Sequence, residues 1–176
     1  MVEKLDAVGW ITKGKKSFVQ NELPESRAYF LSAIEMDPDN AEAYAFLAAV
    51  YGRLIEKGGF MDKLKYLPHL EKTISTALRL NPESTIARRV NAFKLLRTPK
   101  EFGGSPKRAI DEFLFCIGKG PEDHELYYGL GLAYTQVKDY PKAKQSLEKG
   151  IELKPEDALI IKELEFVNRR VGHGNH

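Results

Sequence analysis

Four histidines and one cysteine are the residues of this chain with the widest chemistry, and their placing argues against catalysis. His69, His124, His173 and His176 fall at a helix start, in a turn and in the tail, and none has a carboxylate or second histidine at a zinc-site spacing. The tail, Gly172-His173-Gly174-Asn175-His176, offers two imidazoles on a chain end, where such pairs more often bind nothing. Lys13-Gly14-Lys15-Lys16 is not a phosphate loop, because no strand precedes it and the glycine pattern is missing. It reads as a solvated helix face with Lys15 available to a groove. Gly103-Gly104 makes no dinucleotide fingerprint, and no nucleophile stands beside a recognisable base. The expectation is therefore a chain with no catalytic, metal-binding or cofactor-binding residues, and not an enzyme.

The composition points the same way. The 176 residues suit a single domain, expected over 1–176, that buries roughly 70% of its unfolded surface. With 43% hydrophobic and 30% charged residues it has the make-up of a soluble globular protein rich in exposed helix. Its 27 basic and 25 acidic residues are interspersed, so no global field favours nucleic acid or an anionic membrane, and partners must be read locally. A single cysteine, Cys116, rules out an intrachain disulfide and a cysteine-cluster metal site. The opening MVEKLDAVGWITKGKK lacks an apolar secretory stretch, and no run approaches the roughly 18 apolar residues that span a bilayer. The expected location is the cytoplasm, or the periplasm if a leader has been removed.

Any functional residues must be positioned by a recurring unit. FLSAIEMDPDNAEAY, TALRLNPESTIA, FCIGKGPEDHELYY and LEKGIELKPEDALI each read as a helix end, a proline, a short acidic turn and a new helix. The prolines Pro38, Pro82, Pro121 and Pro155 are spaced by 44, 39 and 34 residues. The residues that open each unit, Trp10, Tyr44, Arg88 and Tyr127, are spaced by 34, 44 and 39, which assigns the two long spacings to insertions inside the second and third units. Pro24, Pro68, Pro106 and Pro141 stand at or next to the opening of each second helix, where a missing N–H costs nothing. The pattern predicts helices over about 5–21, 24–36, 41–57, 63–80, 84–97, 105–118, 123–137 and 140–153, with a ninth over about 156–170 whose Leu159, Ile160, Leu164 and Val167 form an apolar stripe.

The 34-residue spacing, with Tyr127, Leu130, Gly131, Tyr134, Ala143, Leu147, Gly150 and Pro155 in the eight signature slots, resembles the tetratricopeptide repeat (TPR). The first unit matches it through Trp10, Gly14, Phe30, Ala33 and Pro38, while Lys13, Ser17 and Ser26 depart from the usual choices. Closely packed helices need small residues where they cross. Gly14, Ala48, Ala92 and Gly131 take that slot on the first helices, and Ala33, Ala77, Cys116 and Gly150 on the second, which makes Cys116 a core residue. The resemblance implies an all-α, right-handed superhelical solenoid of four repeats, about 7–40, 41–84, 85–123 and 124–157, followed by a capping helix at about 156–170 and a flexible tail at 171–176.

Such solenoids bind through the concave face lined by their first helices. The register places Lys15 and Phe18 of the first repeat, Phe46 and Arg53 of the second, Arg89, Phe93, Leu96 and Arg97 of the third, and Tyr128 and Leu132 of the fourth on that face. Some of them equally suit a core facing the neighbouring helix. The set is aromatic and basic, suited to an extended, partly apolar and acidic peptide or protein segment. The carboxylate clamp of chaperone-binding TPRs is absent, since Ile11, Lys15, Phe46, Ile86 and Val90 occupy its slots. The insertions around Gly58-Gly59 and in LRTPKEFGGSPKRA carry Phe60, Met61 and Phe102, which either tuck under their turns or line a groove entrance. The second insertion resembles the P-x-x-F-G-G turn of some bacterial TPR proteins, including the partners of TRAP-type solute transporters. That similarity implies an alternative, a binder of a small apolar or anionic ligand, and self-assembly is a third possibility. The expected partner is a protein or peptide, with no nucleic acid, no membrane span and a possible homo-oligomer.

Overall fold

Polar side chains start the helices next to the proline-containing turns, and the resulting elements follow the expected pattern closely. The computed structural model describes residues 5–172. These form α1 (Ala7–Val19), α2 (Leu23–Met36), α3 (Ala41–Lys57), α4 (Phe60–Leu80), α5 (Thr85–Arg97), α6 (Pro106–Lys119), α7 (His124–Gln136), α8 (Tyr140–Leu153) and α9 (Ala158–Gly172), with one turn of 3-10 helix over Lys100–Phe102 and no strand among the described residues. The fold is all-α. Asp6, Asn40, Ser105 and Asp139 accept a hydrogen bond from the N–H three residues on, and Asp123 from that of Glu125, which satisfies donors a helix start leaves without partners. Pro24, Pro106 and Pro141 lie in first turns. Pro68 does not. It stands inside α4, which starts earlier than expected, at Phe60, so that the first insertion lengthens the helix at its N-terminal end. The carbonyl left without a partner by Pro68 belongs to the exposed Leu64, and water can satisfy it.

The chain divides into two compact units, Met1–Val90 and Asn91–His176, with the boundary inside α5. In the first unit α1 packs on α2, α2 on α3 and α3 on α4. Phe30 of α2 is fully buried, stacked 5.4 Å from the ring of Phe46 and inclined to it by 8°. It fits because Gly14 is bare: a Cβ there would lie 2.8 Å from the Phe30 ring. The seam also holds a polar tie, in which Ser26 Oγ, wholly buried, donates to the Gly14 carbonyl at 2.9 Å. Ser26 is thus accounted for as a helix-to-helix bond where most repeats put a methyl group.

In the second unit α6 packs on α7, α7 on α8 and α8 on α9. Gly131 makes room for Leu147 and Gly129 for Phe113, where added Cβ atoms would lie 2.6 and 2.3 Å from the side chains. Ile160 and Val167 of α9 bury against Ala143 and Leu147. Counting from the start of α7, Gly131 holds the slot that Glu165 holds in α9. Glu165 is exposed, so the slot that takes a buried helix crossing in α7 faces outward in α9.

The second insertion is a built turn. Gly103, at φ 87°, occupies the left-handed region, and the N–H groups of Gly103 and Gly104 donate to the Lys100 and Pro99 carbonyls at 3.0 Å. A Cβ on Gly104 would fall 1.7 Å from the Thr98 carbonyl oxygen, so only glycine fits.

Candidate functional site

The first-helix residues singled out by register form, within each unit, a set of rings with cations above them. In the first unit Phe18 of α1 meets Phe46 of α3 edge-on at 6.4 Å and 73°. Lys15 Nζ lies 5.0 Å above the Phe46 ring, and the Arg53 guanidinium 5.3 Å above that of Phe18. Two half-buried phenylalanines thus share a surface with two cations, each held over an aromatic face. Lys15 also bonds Glu42 Oε1 at 2.5 Å, an ion pair with both partners well exposed and open to solvent screening. Ile11 and Ala45, neighbours in the same register, are buried as core. Arg89 lies half-buried on α5.

In the second unit Phe93 of α5 sits edge-on to the buried Phe113, with ring centroids 5.0 Å apart, and the Arg97 guanidinium lies 5.0 Å above Phe93. Leu132 of α7 is half-buried beside the same cluster, while Tyr128 packs on the cluster that includes Leu147 and Ile160. Leu96 is a core residue, 5% exposed among Ala92, Phe113 and Leu130, and a ligand reaches it only through what covers it. The register could not exclude this, because core and surface positions are neighbours on a helix. Its carbonyl accepts from Gln136 Nε2 at 3.3 Å, a bond that ties α5 to α7.

The insertion residues do not tuck in. Phe60 and Met61 are each 74% exposed and Phe102 is 78% exposed. Two contributors were not read from the sequence. Gly129, which admits Phe113, lies outside the repeat's small-residue slots. Phe30 matches the repeat signature, but its role as the platform under Phe46 depends on ring geometry.

Other reactive groups are occupied by packing. Cys116 is buried, and His69 stacks 5.4 Å from Tyr51, whose hydroxyl burial holds above its ordinary pKa. His124 lies 3.7 Å from both Asp123 and Asp157. Among the described residues no group of three or more His, Cys, Asp or Glu side chains could hold a metal ion. His173 and His176 lie outside the described residues. No described helix is long and apolar enough to cross a membrane.

Comparison with known families matches the tetratricopeptide repeat to residues 124–157, which span α7, α8 and the turn that follows. The chain carries a tetratricopeptide repeat there. It is 27% identical over 157 residues to the human mitochondrial import receptor subunit TOM70; the match takes in 88% of this chain and 24% of the receptor, so the chain spans about a quarter of that relative's length. Solved structures give the same fold. PilW, a widely conserved type IV pilus biogenesis factor, superposes with a TM-score of 0.73 at 15% identity, over 94% of this chain and 70% of that one. PilF of Pseudomonas aeruginosa gives 0.70 at 20% identity, over 95% of this chain and 69% of that one. In TPR terms, α1, α3, α5 and α7 are the first helices of the pairs, and the cation-capped rings stand on the first three of them.

Proposed function

We propose that this TPR chain is a non-catalytic scaffold that holds an extended, partly apolar and acidic segment of another protein on the first-helix faces of its repeats. TPR folds serve generally as protein-interaction scaffolds. The observation that carries the finer reading is the recurrence of one device: Lys15 over Phe46, Arg53 over Phe18, and Arg97 over Phe93. Each of these positions sets a positive charge beside apolar surface. The position therefore rewards a ligand that brings an apolar side chain and a carboxylate close together. A lysine-rich ligand meets repulsion at each cation, and a purely acidic one leaves the rings uncovered.

The test is fluorescence polarisation with peptides of about twelve residues in three matched sets: Leu or Phe with Glu, the same apolar residues with Lys, and Glu with Ser. The first set is expected to bind at least about tenfold more tightly than the others and to weaken with salt. Equal binding of all three sets would remove the basis for the acidic, apolar ligand.

A further inference from the structure

The two turns that open α4 carry a surface unlike the rest of the first unit. Phe60 and Met61 are each 74% exposed, and Leu64 is 57% exposed. At about 100° per residue the three fall within one arc of about 100°, and Lys63 and Lys65 flank it, each roughly 100° from its middle. The opposite side is turned toward the protein. There Asp62 Oδ2 accepts from the Gly59 N–H at 3.3 Å, and Asp62 and Tyr66 line a cavity of about 270 Å³ with Leu54, Lys57 and Asn21. The carboxylate of this stretch is thus spent on the helix start, while apolar side chains and lysines face outward.

We propose that this face docks on an anionic lipid bilayer, with the first two turns of α4 lying in the interface. Phe60, Met61 and Leu64 enter the acyl boundary, and Lys63 and Lys65 reach back along their stems to headgroup phosphates. Side chains this exposed stand out from the surface and cannot enclose a peptide, but they can sink into a deformable layer. A second copy docked face to face would bring the lysines of both chains together, which like-charge repulsion opposes. In the second unit the other insertion independently exposes a phenylalanine, Phe102, on a turn that begins at Lys100 and leads to Lys107 and Arg108.

The test is flotation of the full chain with phosphatidylcholine vesicles, with and without phosphatidylglycerol, at low and high salt. Binding is expected only to the anionic vesicles, weakened by salt, and reduced at least about fivefold in Phe60→Ser/Met61→Ser/Leu64→Ser and in Lys63→Glu/Lys65→Glu. The melting temperature should be unchanged in both, since the replaced groups are exposed; if the serine variant unfolds, the glutamate variant decides alone. No binding of the wild type to anionic vesicles, or undiminished binding of the folded variants, overturns the proposal. So does a wild-type dimer that the serine variant dissociates, which would assign the face to a second copy. Groove variants such as Arg97→Glu are expected to float like the wild type.

Discussion

Gly131 sits inside α7, where alanine would ordinarily be worth about 1 kcal/mol more to the helix. Its added Cβ would lie 2.6 Å from Leu147, a wholly buried side chain, so overpacking of about 1–3 kcal/mol opposes that gain. Gly118 of α6 has nothing within 4 Å of its would-be Cβ. The two glycines should therefore respond oppositely to the same substitution. Gly131→Ala is expected to lower stability by up to about 2 kcal/mol, and Gly118→Ala to raise it by about 0.5–1 kcal/mol, as read from urea midpoints. Residues of the first kind were legible from sequence, because a crossing slot admits only a small side chain wherever the repeat register is known. Gly129 was not, since its smallness answers to Phe113 of the preceding helix. Leu96 was misplaced for a related reason: one turn of helix offers both core and groove, and only the neighbours decide between them.

At the scale of elements, caps and prolines located most helix ends, and the exception is instructive. Proline at a first turn and proline inside a helix look alike in one sequence, so Pro68 reads as standing at the opening of a helix expected from about residue 63, whereas α4 starts three residues earlier, at Phe60. The element that depends most clearly on one polar group is α9. Asp157 Oδ1 accepts from the Leu159 and Ile160 N–H groups at 3.1 and 3.4 Å, and Lys154 Nζ lies 3.1 Å from Oδ2. Burial alone would raise the Asp157 pKa, but the Lys154 bond and the two backbone donors outweigh it and hold the carboxyl below its ordinary value. A carboxyl with a pKa lower in the folded than in the unfolded state stabilises the fold above its unfolded value of about 3.9 and loses that contribution as pH falls through the folded value. Asp157→Ala is expected to cost about 1 kcal/mol at neutral pH, with a difference from wild type that shrinks on acidification below about pH 4. Urea titrations across pH measure both; a difference that does not shrink would show that the carboxylate is not the stabilising form.

For the molecule as a whole, the repeat register runs unbroken through α5, which is why nothing in the sequence marked the division between Val90 and Asn91. The near balance of charge, +2 overall, turns recognition over to local arrangements. Those arrangements indicate how the ligand should be tested. Phe46 and Phe93 support buried rings, so truncating either confuses binding with stability. Arg53 and Arg97 are exposed at their positions, so reversing their charge is expected to leave the cores intact. The most direct measurement is the affinity of Arg53→Glu/Arg97→Glu for the apolar-acidic and apolar-basic peptides, with melting temperature followed in parallel. An unchanged fold is expected, with at least about tenfold weaker binding of the acidic peptide and a gain for the basic one. Unchanged affinity for the acidic peptide in a folded variant would contradict it.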